Sequence, residues 1–220
     1  MSLTNNLSDI HRRIDAAAQK AGKSGKDITL ICVSKTIPAE TINEAVSLGE
    51  KVFGENRPQE LRDKFDAVSG VQWHLIGHLQ TNKVKYAVGR ACLIHSVDSL
   101  HLAQAINEQA EKKGIVQDIL LEVNISGEES KYGLTTAQIP TIIKEIGCLK
   151  NLCFKGFMTM APLGAPEEEI RSIFSRARSL FEEYEKCGAA ILSMGMSGDF
   201  EIAIEEGATH VRVGSAIFKR

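Results

Sequence analysis

The sequence predicts a single (β/α)8 barrel of the TIM type. Short apolar runs alternate with amphipathic stretches from end to end, and about eight such units fit into 220 residues. No Pro/Gly/Ser-rich linker, repeat or low-complexity segment interrupts them. Strict strand–helix alternation implies parallel strands joined by right-handed crossovers, and eight units in roughly 200–250 residues match a closed barrel. A doubly wound open sheet shows the same alternation and stands as the second architecture.

The first strand is read over 28–33, where Ile28, Leu30, Ile31, Cys32 and Val33 make a run suited to burial on both faces. Pro38 then opens a helix carrying Ile42, Ala45, Val46 and Leu48, and Gly49 closes it. A second strand is expected over 51–55 with its helix over 58–68, and a third over 73–77 with a helix around 83–88. Strands four and five are read over 93–97 and 119–125, with a helix over 99–113 between them. An amphipathic stretch after Thr135 leads to a sixth strand over 153–160 and a long charged helix over 166–186. Glu167, Glu168 and Glu169 suit that helix's first turn, where the backbone dipole favours carboxylates. Strands seven and eight, over 191–194 and 210–213, flank a short helix over 199–206. Only Ala216 to Arg220 follow strand eight, too few for a full outer helix. Leu7, Ile10, Ile14, Ala17, Ala18 and Ala21 recur at helical spacing, so a leading helix over 1–22 is expected to take the eighth outer position or cap the barrel bottom. The chain reads as one domain, 1–220.

The chain is 43% hydrophobic and 25% charged, with a formal net charge of −2. That balance argues against nucleic acid or an anionic membrane as partner. No stretch reaches the apolar length of a membrane span, and the charges scattered through the N-terminal segment do not fit a signal peptide. A cytoplasmic location is expected. Five cysteines, an odd number without a CxxC pair, argue against a disulfide framework or a structural zinc site. Cys32 and Cys92 fall in apolar runs and are expected to be buried free thiols.

The candidate chemistry begins at Lys35 in Val33-Ser34-Lys35-Thr36, where the first strand ends on the face that carries barrel active sites. A partly desolvated lysine there can lose its proton and attack an aldehyde; a lone strand-end lysine more commonly snorkels to water. Two loops shift the balance. In Ser193-Met194-Gly195-Met196-Ser197-Gly198-Asp199, glycines allow a tight turn that presents backbone N–H groups to an anion, and Ser197 adds a hydroxyl. In Val211-Arg212-Val213-Gly214-Ser215-Ala216, strand eight runs into a short terminal helix whose first amides can face a phosphate. Either turn alone is a common cap, but together, after strands seven and eight, they match the barrel phosphate site. Arg212 alternates with Val211 and Val213 and so points away from their side, toward an acceptor in the mouth or into a layer-filling ion pair.

These blocks, with Phe53-Gly54-Glu55-Asn56, Trp73 to Lys83, Val123-Asn124-Ile125-Ser126 and Ser130-Lys131-Tyr132-Gly133-Leu134, closely resemble the pyridoxal phosphate homeostasis protein family. They run in order over nearly the whole chain. That family is similar to the barrel domain of alanine racemase, the fold-type III barrel without its C-terminal β domain. The resemblance implies pyridoxal 5′-phosphate as cofactor, held by Lys35 as an internal aldimine. It implies that Ser197, Gly214 and Ser215 bind the phosphate, that Arg212 faces the pyridine nitrogen and that Asn56 lies beside the ring. The pattern departs from the family at Lys219-Arg220, where a glycine usually follows Ile-Phe.

An arginine can only donate at the pyridine nitrogen, which leaves the ring a weaker electron sink than a carboxylate partner does. Racemisation also needs two acid–base groups on opposite faces of the substrate. The second, in alanine racemase, is a tyrosine from the partner subunit's further domain, which this chain lacks. Tyr132 is read as an exposed loop residue. The leading reading is therefore a protein of intracellular cofactor homeostasis that holds and delivers pyridoxal phosphate, without robust catalysis. An amino-acid racemase is the alternative, and a sugar-phosphate barrel enzyme the third reading. The cofactor and amino acids are the expected small-molecule partners, and a monomer is the expected state. His74 and His78 are read as hydrogen-bonding rather than metal-binding residues. Lys155 is placed toward the barrel bottom, which disfavours an aldolase lysine. Lys131 reads as solvated, and Gly22-Lys23-Ser24 lacks the first glycine of a phosphate-binding P-loop.

Overall fold

The computed structural model describes residues 2–128 and 132–219. Eight parallel strands close on themselves in sequence order, β1 (Thr29–Val33), β2 (Val52–Glu55), β3 (Gln72–Leu75), β4 (Leu93–Val97), β5 (Gln117–Glu122), β6 (Leu152–Met158), β7 (Ile191–Ser193) and β8 (His210–Val213). β8 pairs with β1 from Thr29↔His210 to Cys32↔Val213, and that closure excludes the open sheet. The helices are α1 (Leu3–Lys20), α2 (Ala39–Ser47), α3 (Pro58–Phe65), α4 (Val84–Ala87), α5 (Leu100–Lys112), α6 (Ile139–Ile146), α7 (Glu167–Glu183), α8 (Phe200–Glu205) and α9 (Ser215–Phe218).

Strand alternation sorts side chains between the lumen and the helical shell. Leu30, Cys32, Phe53, Trp73, Val211 and Val213 belong to the main core between sheet and helices. Leu93, Leu120 and Met158 form a separate buried cluster with Ile191, inside the barrel. Gly54 faces the lumen too: a Cβ there would stand 2.8 Å from Ile31 Cγ2.

α1 buries Leu7, Ile10, Ile14, Ala17 and Ala18. It lies against the last units and the first: Asn6 Nδ2 donates to the Ile217 carbonyl at 2.8 Å, Arg13 pairs with Glu201 at 2.6 Å, and His11 pairs with Glu50 at 2.6 Å. A helix from the beginning of the chain thus covers the wall that α8 and the four-residue α9 leave open.

Several expectations are corrected. Cys92 is exposed, because it precedes β4 on the barrel's lower rim instead of lying within the strand; Cys32 is buried, and its thiol meets Glu50 Oε2 at 3.6 Å. β5 stops at Glu122; Val123 leaves the ladder for a bridge to Leu134, so the apolar run outlasts the strand. β6 ends at Met158 and contains a bulge, since Ile119 pairs with Phe154 but Leu120 with Gly156. The bulged Lys155 stands beside Asp118, 3.7 Å away near the start of β5 and far from the mouth. Leu48 is exposed, and α4 is a single turn.

Ile10 is 1% exposed on the inner face of α1. Ile10→Ala is expected to destabilise the fold by about 2–5 kcal/mol in denaturant unfolding, as buried Ile→Ala changes do. A value near zero would mean that α1 contributes no packing.

Candidate functional site

The C-terminal ends of the strands open into a cleft of about 550 Å³, within the range of about 300–1,000 Å³ usual for small-molecule sites. Lys35, Asn56, Ser197, Arg212, Gly214 and Ser215 all line it, and Ile76, Met160, Pro162 and Leu163 supply apolar wall. Four separate stretches of sequence are brought together by β8 meeting β1. Gly214 allows that approach: a Cβ there would stand 3.0 Å from both Cβ and O of Val33.

Between β7 and α8 the chain turns at Gly195, whose φ is +88° and where a Cβ would come within 2.5 Å of Ala203 Cβ. Asp199 ends the turn by accepting the Met196 amide at 2.5 Å. The Gly214 amide donates to Ser197 Oγ at 3.3 Å, which joins the two loops. The amides of Ser197, Gly198, Ser215 and Ala216 have no protein acceptor among the described residues. A Cβ at Gly198 would meet nothing within 4 Å. Free amides, a hydroxyl and open space make an anion cradle.

Lys35 is exposed at the cleft edge. Thr36, the next residue, has φ +62°, a conformation that costs a β-branched residue on the order of 1–3 kcal/mol.

Arg212 reaches into the lumen and is 4% exposed. Its guanidinium donates to Ser193 Oγ at 2.7 Å and to the Thr159 carbonyl at 3.0 Å. Burial pushes it down to about 10, against the pull of Asp199 and Glu122, so it stays protonated near neutrality. Ser193 Oγ lies 3.0 Å from His95 Nδ1, and His95 Nε2 lies 2.9 Å from His74 Nδ1. Arginine only donates, so the Ser193 oxygen accepts from it, and the hydroxyl hydrogen finds an acceptor when it goes to His95 Nδ1, the other partner of that hydroxyl. His95 then carries its proton on Nε2 and donates to His74, which assigns both tautomers. Burial, with His210 secondary, drives His74 down to about 3; burial also drives His95 well below its ordinary value and His210 to about 4. Glu122, buried above Leu120, is pushed up to about 7 by burial and Asp98.

Ser193, His95 and Glu122 were not among the site residues read from the sequence. Their signal is a polar residue in an otherwise apolar strand, at the lumen-facing parity of His74, Leu120 and Arg212. His78 stands 3.4 Å from Asp98 and stacks on Tyr132, which is 62% exposed. Lys131 lies outside the described residues. Among the described residues no group of three or more metal-ligating side chains converges.

The family model of the alanine racemase N-terminal domain matches residues 6–220. The pyridoxal phosphate homeostasis protein of Aquifex aeolicus is 43% identical over 99% of this chain and 98% of its own. The chain belongs to the pyridoxal phosphate homeostasis protein family. Two solved structures resemble this family member along its length. A protein of unknown function from Bifidobacterium adolescentis has a TM-score of 0.91 and 37% identity, covering 98% of this chain and 94% of that one. PipY of Synechococcus elongatus PCC7942, solved with pyridoxal phosphate bound, has a TM-score of 0.86 and 32% identity, covering 99% and 100%.

The lumen histidines couple stability to pH. Their folded values lie below the ordinary 6.5, so the unfolded chain binds more protons between about 3 and 6.5. Their contribution is complete above pH 6.5 and is lost as pH falls through about 4 for His210 and about 3 for His74. Calorimetric Tm is expected to drop over that window, and less steeply in His74→Gln. An identical slope in the variant would remove His74 as a cause.

Proposed function

We propose that this chain binds pyridoxal 5′-phosphate in the cleft between β1, β7 and β8 and holds it for release, without turning over amino acids. The observation that carries the reading is the convergence of Lys35, Asn56, Ser197, Arg212, Gly214 and Ser215 on one cleft. Further support comes from PipY, a full-length relative solved with the same cofactor.

When bound, the cofactor supplies an aldehyde and an electron-accepting ring. Ser197, Ser215 and the free amides of the two loops take its phosphate, and the backbone of Gly214 gives the room. Nζ of Lys35 is the covalent anchor. Arg212, fixed from behind by Ser193 and the Thr159 carbonyl, donates toward the ring nitrogen, and Asn56 flanks the ring. A donor that keeps its proton leaves that nitrogen unprotonated and weakens the ring as an electron sink.

Racemisation would need a second acid–base group across the substrate. Among the described residues, the other ionisable side chains lining the cleft are Asp199 and Arg212. Asp199 is committed to the Met196 amide, and Arg212 only donates. This distribution favours holding over racemisation. Amino acids, whose amines can take the aldehyde from Lys35, are the proposed second ligands. We assign the protein to the cytoplasm as a monomer; no described helix is long and apolar enough to cross a membrane.

Borohydride reduction of the loaded protein followed by peptide mapping is expected to leave a pyridoxyl mass on the Lys35 peptide, absent in Lys35→Ala. A label elsewhere that persists in Lys35→Ala refutes the anchor. Amino acids incubated with loaded protein in deuterated water are expected to keep their α-protons; rapid exchange would favour the racemase reading.

A further inference from the structure

The only non-glycine residue at positive φ among the described residues is Thr36, and it directly follows Lys35. The two are the central pair of a four-residue turn closed by the Ile37 amide donating to the Ser34 carbonyl at 3.0 Å. A turn with positive φ at its third position normally takes glycine or asparagine there. A β-branched residue persists in that conformation only where its surroundings impose it.

The imposing groups come from the next βα unit. The Thr36 amide donates to Glu60 Oε2 at 2.9 Å. On the other side of Lys35, the buried Ser34 donates its hydroxyl to Glu55 Oε1 at 2.7 Å. Lys64 ties the two together: its Nζ donates to the Ser34 carbonyl at 2.8 Å, to Glu55 Oε1 at 2.8 Å and to Glu60 Oε2 at 3.4 Å. An ammonium has three N–H bonds, and these three acceptors use them all. Glu55 is fully buried and its Oε2 has no partner, so Lys64 and Ser34 are what hold that carboxylate in place. Burial raises the Glu60 carboxyl, but the Thr36 amide, Lys64 and Arg57 together hold it below its ordinary value, and it stays charged near neutrality.

We propose that Glu60, Lys64 and Glu55 form a clamp that aims Lys35 into the cleft, acting as positioning residues for covalent attachment of the cofactor. This rests on the reading that Lys35 is the anchor. In attachment the Lys35 amine nitrogen adds to the aldehyde carbon, and the aldehyde oxygen leaves as water. Geometry at the lysine therefore matters to the linkage and not to phosphate binding. Of the two lysines at this corner, Lys64 is saturated by acceptors, whereas Lys35 has no ion-pair partner among the described residues. The clamp thus divides the roles: one lysine is spent on structure, which leaves the other free to react. Without Glu60, Thr36 relaxes toward negative φ and the Lys35 side chain turns away.

The test uses the full chain as wild type, Glu60→Ala and Glu60→Gln. Two ligands are compared: pyridoxal 5′-phosphate, and pyridoxine 5′-phosphate, whose alcohol cannot form the linkage. Glu60→Ala is expected to bind pyridoxine 5′-phosphate within about twofold of wild type but to lower the linkage equilibrium constant about tenfold, the size of one charge-assisted hydrogen bond. Linkage is read by absorbance and by borohydride trapping at Lys35. Glu60→Gln retains an oxygen that can accept the Thr36 amide, and it should recover most of the loss. Adding Thr36→Gly, which takes positive φ freely, should raise linkage several-fold over Glu60→Ala alone. The clamp is overturned if Glu60→Ala links like wild type, if it loses both ligands in parallel, or if neither Glu60→Gln nor Thr36→Gly restores linkage. If wild type itself is trapped at a different lysine or at none, the reading of Lys35 as anchor fails, whatever Glu60 does.

Discussion

The pairing of β8 with β1 is the constraint on which the site depends. Closure sets Cys32 beside Val213, and the next residues on each strand, Val33 and Gly214, come into contact. Beyond them lie Lys35 on one side and Ser215 on the other, so an amine and the free amides of the two loops share one mouth. A side chain at position 214 would push the strands apart where they must be closest. The same closure turns β7 inward beside β8, which puts Ser193 under Arg212.

The lumen beneath that mouth holds a charge in a polar interior. A buried guanidinium is tolerable where acceptors meet its donors and nearby carboxylates offset its charge. Ser193 Oγ and the Thr159 carbonyl accept from Arg212, while Asp199 and Glu122 act on it at longer range. His95 and His74 extend the network as neutral rings whose tautomers follow from the arginine's inability to accept. Their burial makes acid unfavourable, whereas the burial of Glu122, whose folded value lies above the ordinary one, costs stability as pH rises from about 4.5 through 7. Over that acid range the two effects oppose each other, while Arg212 keeps its proton and remains a donor.

Strand–helix alternation made the barrel legible, and β4 and β8 have the bounds read from their apolar runs. The reading failed where hydrophobicity and strand pairing part company. Val123 and Ile125 are buried after β5 has ended, because the loop packs against the core. Cys92 looked like a strand residue because Leu93 and Ile94 follow it, yet it lies on the rim and faces solvent. In the cleft, Gly214, Ser215 and Ser197 were legible because tight loops after strands seven and eight restrict residue type. Glu60 and Lys64 were not, since charged residues on a short helix resemble any solvated face.

By itself the sequence determined the barrel class, the two Gly-Ser loops after strands seven and eight, and the places of Lys35 just past strand one and Arg212 within strand eight. These are local properties of periodicity, turn chemistry and strand-end position. Only the tertiary structure decided which side chains support them. Thr36 meets Glu60 across 24 residues, and His95 meets Ser193 across 98. Such contacts depend on strand register and on the lumen face of each strand, which follow from barrel closure. Neither is written in any one segment.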